Sequence, residues 1–166
     1  MDTYKDHYLV ISDFGKAWAV KAVSEEETLE CLQTLVGGWA EYSDKCLIER
    51  VPNMTGVPTP KGIEIDCWVN EEGLFREGFI RNKIASAFTG VDCVGPAIFT
   101  SADDEGNTIP LPNGYLQGAM QAGLKLEGEA REYVWGEVAM ELMNIEQDYL
   151  VLLDKMEEVQ NDKSED

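Results

Sequence analysis

The sequence predicts an α+β domain: an antiparallel or mixed sheet with a capped helix and a long amphipathic C-terminal helix packed on one side. Three observations carry that expectation. Two apolar runs, residues 8–11 and 17–23, flank the turn-like Asp13-Phe14-Gly15-Lys16 and read as a β-hairpin. Ser24 stands three residues before Glu27, the spacing of a capping box, and Leu29, Leu32, Leu35 and Val36 follow at helical intervals. Near the C-terminus Val138, Leu142, Ile145, Tyr149, Leu152, Met156 and Val159 alternate steps of four and three, a heptad seam three repeats long. A chain of 166 residues is long enough for one domain with its own core.

The elements follow in order. After the hairpin, a helix over 25–36 ends at Gly37-Gly38, where a left-handed stop is available. Residues 39–42 and 46–51 read as strands, and 52–62, with three prolines and two glycines, as a loop. Residues 63–69 alternate with period two, as a strand with one wet face does. Asn70-Glu71-Glu72-Gly73 turns the chain, residues 82–88 form a short helix ended at Gly90, and 94–100 form a strand. Asp103-Asp104-Glu105-Gly106-Asn107 is a tight turn by composition. Asn113-Gly114 caps a short helix reaching about residue 125. Residues 127–159 contain no proline and only Gly128 and Gly136, so they read as one long helix, with 160–166 as a frayed tail. The division is thus an α+β body over 1–126 and an acidic amphipathic helix over 127–159 packed on that same body.

A regular seam also invites a coiled coil. In a parallel homodimer Glu141 would face Glu146 of its partner, a like-charge pair. Met143, Leu150, Val151 and Leu153 widen the stripe beyond the seam, which suits packing on a sheet. The expectation is a helix that covers its own domain, with a homodimer through this helix as the alternative.

Charge restricts function further. Lys and Arg number 13 and Asp and Glu 32, giving a formal charge of −19. Direct nucleic-acid binding and adhesion to an anionic membrane both need clustered cations, so neither is expected. No apolar window is long enough to span a membrane and no signal segment is visible, and Cys31, Cys46, Cys67 and Cys93 lie far apart. A cytoplasmic protein with reduced thiols is expected. Residues 127–166 carry 13 acidic and 3 basic side chains, half of the excess. Glu137, Glu141, Asp148, Asp154, Glu157 and Glu158 are the candidate acidic face for a cationic or DNA-binding protein of host or virus. Thirteen carboxylates along about 60 Å of helix average about one per 4.6 Å, against about one per 1.7 Å in duplex DNA. Imitation of DNA therefore needs two copies or help from the rest of the domain.

Arg76, Arg81 and Lys83 form a basic island interleaved with Phe75, Phe79 and Ile80, a candidate site for a phosphate or nucleotide. The plainer reading is neutralisation of Glu71, Glu72 and Glu77. Catalytic constellations are missing: there is one histidine, His7, and no H-E-x-x-H, C-x-x-C, G-x-S-x-G or Walker loop. Asp103–Asn107 is too compressed for an EF-hand loop, and Cys67 and Cys93 read as buried, inert thiols. No metal and no cofactor is expected.

Residues 35–41 (Leu-Val-Gly-Gly-Trp-Ala-Glu), 69–73 (Val-Asn-Glu-Glu-Gly), 82–85 (Asn-Lys-Ile-Ala) and 94–98 (Val-Gly-Pro-Ala-Ile) together resemble a small domain family of unknown function found in bacteriophages, other mobile elements and some large viruses. The likeness covers roughly residues 25–110 and leaves the acidic helix outside. It implies a viral or mobile-element setting and no particular activity. Together these readings favour a non-enzymatic accessory protein that binds a cationic partner through acidic groups, an anti-restriction DNA mimic in its most concrete form. The alternatives are a small nucleotide or phosphate binder at the basic island and a structural virion component.

Overall fold

The hairpin forms where its sequence places it, with β1 (His7–Ile11) antiparallel to β2 (Ala17–Lys21) and Tyr8 opposite Val20. Its turn is closed by Ser12 N–H on Lys16 O at 2.7 Å and by Gly15 in a left-handed conformation. The computed structural model describes residues 4–37, 40–44, 61–128 and 130–164.

Helix α1 (Thr28–Leu35) departs from expectation at its start. A 3-10 turn, Glu25–Glu27, precedes it, and the Ser24 hydroxyl makes no capping bond. The Ser24 carbonyl accepts from Glu27 N–H and from Thr28 Oγ1, both at 3.0 Å. The tighter turn replaces the capping box. It also resets the helix face, so Cys31, Leu32 and Leu35 point inward while Leu29 is 62% exposed. Gly37 supplies the left-handed stop, at φ 73°.

Strand β3 (Ala40–Asp44) pairs antiparallel with β4 (Glu64–Asn70). The expected strand over 46–51, the loop over 52–60 and Cys46 lie outside the described residues. The wet face assigned to β4 is a correction: Asp66 is 5% exposed and Trp68 donates to Thr100 Oγ1 at 3.0 Å across the β5 partner strand. Helix α2 (Lys83–Thr89) is capped by Asn82, whose side chain accepts from Ala85 N–H, and ends at left-handed Gly90. Strand β5 (Ala97–Ala102) begins later than residue 94, because Gly95 turns left-handed ahead of it. The Asp103 carboxylate organises the next turn by accepting Glu105 and Asn107 N–H at 3.0 and 2.9 Å. Beyond it stands a two-residue strand, β6 (Thr108–Ile109), that composition did not suggest. Helix α3 (Tyr115–Gln121) is shorter than expected, and Gly114 rather than Asn113 occupies its N-cap.

The long helix α4 (Trp135–Ser164) starts well after residue 127 and runs past 159. Glu127 and Tyr133 instead bond to the free edge of β2. Glu127 N–H bonds Ala17 O at 2.7 Å, Tyr133 N–H bonds Ala19 O, and Lys21 N–H bonds Tyr133 O, both at 2.8 Å. An exposed strand edge offers backbone partners that local helix propensity cannot match. Residues 160–164, expected to be frayed, are helical.

The six strands form one antiparallel sheet in the order β2-β1-β5-β4-β3, with β6 beside β5. Every position of β1 and β5 is buried, so both faces are covered. Tyr8, Val10, Trp18, Val20 and Ile98 meet α1 and the first half of α4. Leu9, Ile11, Ala19, Cys67 and Phe99 meet α2 and α3. The sequence places α1 and α4 on one side as found; the second layer on the other side makes three. Among the described residues no helix is long and apolar enough to cross a membrane.

Candidate functional site

Residues around positions 36–37, 70–72, 76–82 and 95 are far apart in sequence and meet at one corner of the fold. The Asn70 side chain donates to Val36 O at 2.9 Å and Gly37 O at 3.0 Å and accepts Glu72 N–H at 2.8 Å. Arg76 donates to Gly37 O as well, lies over the Phe79 ring at 4.7 Å, and grips both carboxylate oxygens of Glu146 on α4 at 3.1 Å. Phe79 in turn packs on Gly95, where a Cβ would stand 2.6 Å from the ring. Asn82 donates to Ile11 O and Gly95 O, both at 2.9 Å. Ile80 N–H bonds Asp13 Oδ2 at 3.0 Å; burial nevertheless pushes the Asp13 carboxyl up, and the charge of Glu146 adds to that. What remains between these groups is a crevice of about 40 Å³, room for little more than a water. These residues thus build a rigid joint between α1, the 70–82 segment and α4.

That joint changes the basic island. Arg76 is committed to Glu146 and Gly37, so it is not available to an anion; the neutralising partner is Glu146, not the nearby Glu71, Glu72 or Glu77. Arg81 pairs with Asp92 at 3.1 Å on the surface. Lys83 is exposed and lines a different feature, a groove of about 450 Å³ between α2 and α3 that Lys125 also borders. Lys125 was outside the sequence reading because it lies 42 positions from Lys83 and only the packing of α3 on α2 joins them.

The joint also fixes the acidic helix. Val138 and Leu142 are buried and Ile145 half-buried against the sheet layer, Tyr149 stacks edge-on against Phe14 at 5.2 Å, and Arg76 holds Glu146. All six candidate acids are exposed, with Glu137 paired to Arg131 at 2.6 Å on the surface. At about 100° per residue, Glu137, Glu141 and Asp148 fall within about 40° of one another on one stripe. Asp154 and Glu158 lie about 100° round from it, and Glu157 about 180°. The acids therefore form one aligned trio on the anchored half, with the rest dispersed beyond. The seam itself leaves the domain at its distal end, where Leu152, Met156 and Val159 are 52–54% exposed.

Among the described residues no cluster of His, Cys, Asp and Glu has the geometry of a metal site. Cys31, Cys67 and Cys93 are buried, and burial pushes the Cys31 thiol up to about 12, which suppresses its reactive thiolate. His7 is buried with no hydrogen-bond partner for either ring nitrogen; burial pulls it down to about 4, against the opposing charge of Asp6.

Two residues with functional potential were missed. Leu74 and Phe75, on a 3-10 turn (Gly73–Phe75) mounted on the joint, are 81% and 90% exposed. An apolar pair inside Glu-Glu-Gly-Leu-Phe-Arg-Glu gives no periodic signal, so the sequence does not say which way it points. Comparison of the chain with family models, curated proteins and solved structures returns no match.

Proposed function

We propose that this chain is a non-enzymatic accessory protein, of viral or mobile-element setting, that binds a cationic protein partner through the acidic stripe of α4. The supporting observation is that Glu137, Glu141 and Asp148 stand exposed and aligned on the half of the helix that the domain anchors. Fixed charges attract without first losing the entropy of ordering, and they steer a cationic partner from a distance. The anti-restriction version, in which the stripe stands in for DNA phosphates, is the concrete form of the reading. Three acids over about 16 Å are sparser than a duplex strand pair, so that version draws on a second copy. The nucleotide-binding alternative ranks lower, since Arg76 is held by Glu146.

The test is affinity capture from host lysate at low and moderate salt. The wild-type chain is compared with a triple variant, Glu137→Gln, Glu141→Gln and Asp148→Asn. A DNA-binding protein retained at low salt, lost at moderate salt and lost with the triple variant is the expected result. Equal capture by both proteins, or capture indifferent to salt, overturns the reading.

A further inference from the structure

The tip and the groove described above are complementary to each other. Leu74 and Phe75 are 81% and 90% exposed, yet their turn is braced: Phe75 N–H bonds Glu72 O at 2.9 Å and Arg76 N–H bonds Gly73 O at 3.3 Å, above the Asn70 and Arg76 contacts. A rigid apolar tip gives up little entropy on docking. It is bracketed by three exposed acids, Glu71, Glu72 and Glu77. The groove between α2 and α3 has the opposite character. It offers about 450 Å³, an apolar floor of Ile84, Phe88, Ala119 and Leu124, and the exposed lysines Lys83 and Lys125 at its rim. That volume is within the range of natural binding pockets, about 300–1,000 Å³.

We infer that a second copy of this chain occupies the groove, the Leu74–Phe75 tip of one protomer seating between α2 and α3 of the next. The apolar pair fills the floor while Glu71, Glu72 and Glu77 meet Lys83 and Lys125. A chain does not fill its own groove, because Arg76 and Glu146 hold the tip beside the α1–α4 layer and the groove lies in the α2–α3 layer across the sheet. Tip and groove are different surfaces, so the contact closes reciprocally as a two-fold dimer, each tip in the other's groove, or runs head-to-tail into rings or open chains. The competing contact, pairing of the exposed ends of α4, has Val151, Leu152, Met156 and Val159 exposed over little more than one heptad, short of the three to four heptads that sustain a coiled coil. Self-repulsion from the net charge of −19 acts over distance and is screened beyond about 8 Å at physiological ionic strength, leaving the local pairs to act.

Sedimentation velocity of the full chain over a concentration series tests this. The wild type is expected to associate as concentration rises, to a dimer or beyond. Phe75→Glu, which removes the tip, and the double variant Lys83→Glu/Lys125→Glu, which inverts the groove rim, each weaken association at least tenfold. Both changes are on exposed side chains, so unchanged melting temperatures certify folding, and Phe75→Ala serves as a milder second tip variant. Mixing the two dead variants leaves one intact tip and one intact groove and is expected to give one-to-one complexes and nothing larger. A wild type that stays monomeric throughout overturns the inference. So does association that survives both variants, or that is lost with Met156→Glu and kept with Phe75→Glu.

Discussion

Arg76 and Glu146 are 70 positions apart in sequence, and the guanidinium of one meets both carboxylate oxygens of the other at 3.1 Å. The pair is half-buried, with side-chain exposures of 36% and 17%, and it ties the 70–82 segment to the helix that carries the acids. Arg76→Ala is expected to destabilise the fold by about 1–3 kcal/mol, because it strips Glu146 of its partner and removes one of the two donors on Gly37 O. Arg76→Lys recovers only part of this, since an ammonium cannot match two oxygens in the plane of a carboxylate. Urea unfolding of both variants measures the difference.

Asn82 is fully buried and uses every polar atom of its side chain, capping α2 and joining β1 to Gly95. Asn82→Ala leaves one amide and two carbonyls without their partner and is expected to cost about 2–4 kcal/mol. Asn82→Asp keeps the cap and loses both donors, so it remains destabilised. Equal stability of Asn82→Asp and wild type in thermal melts would refute the double role.

Gly95 and Gly106 share a left-handed backbone, at φ 81° and 85°, and differ in surroundings. A Cβ on Gly106 meets nothing within 4 Å, whereas one on Gly95 comes 2.6 Å from the Phe79 ring. Gly106→Ala is expected to cost about 1 kcal/mol from the backbone alone. Gly95→Ala adds overpacking of about 1–3 kcal/mol to that. Matched chemical denaturation curves show whether the gap exists.

His7 makes stability depend on pH in a defined window. Its folded-state value near 4 lies below the ordinary 6.5, so the unfolded chain takes up a proton that the native chain refuses. Stability from this residue is complete above pH 6.5 and falls as pH drops toward 4, by about 3 kcal/mol in all. In His7→Leu that contribution to the slope between pH 4 and 6.5 disappears. An unchanged slope would place the acid sensitivity in other groups.

Local signals were legible before any coordinates. Gly15 between two apolar runs, Asn82 and Gly90 around a helical stretch, and Asp103 before Gly106 each act within a few residues, so neighbouring side chains settle them. Residues 127–134 show the opposite case. The composition there favours helix, but the open edge of β2 takes the backbone bonds of Glu127 and Tyr133, and α4 begins only at Trp135. The heptad seam was visible along its whole length, while its division into a packed half and an exposed half depends on where the sheet ends.

For the candidate site, the sequence determined the stock of groups: surplus carboxylates on a long helix, a few clustered cations, and glycines at fixed turns. Tertiary structure decided their use. It turned Glu146 inward to hold Arg76, brought Lys125 beside Lys83, left Leu74 and Phe75 in solvent, and kept Glu137, Glu141 and Asp148 exposed on the anchored half of α4. The physical reason is range. Hydrogen bonding in turns and caps is decided by residues two to four positions away, whereas a charge pair or a groove depends on which surfaces the core brings together.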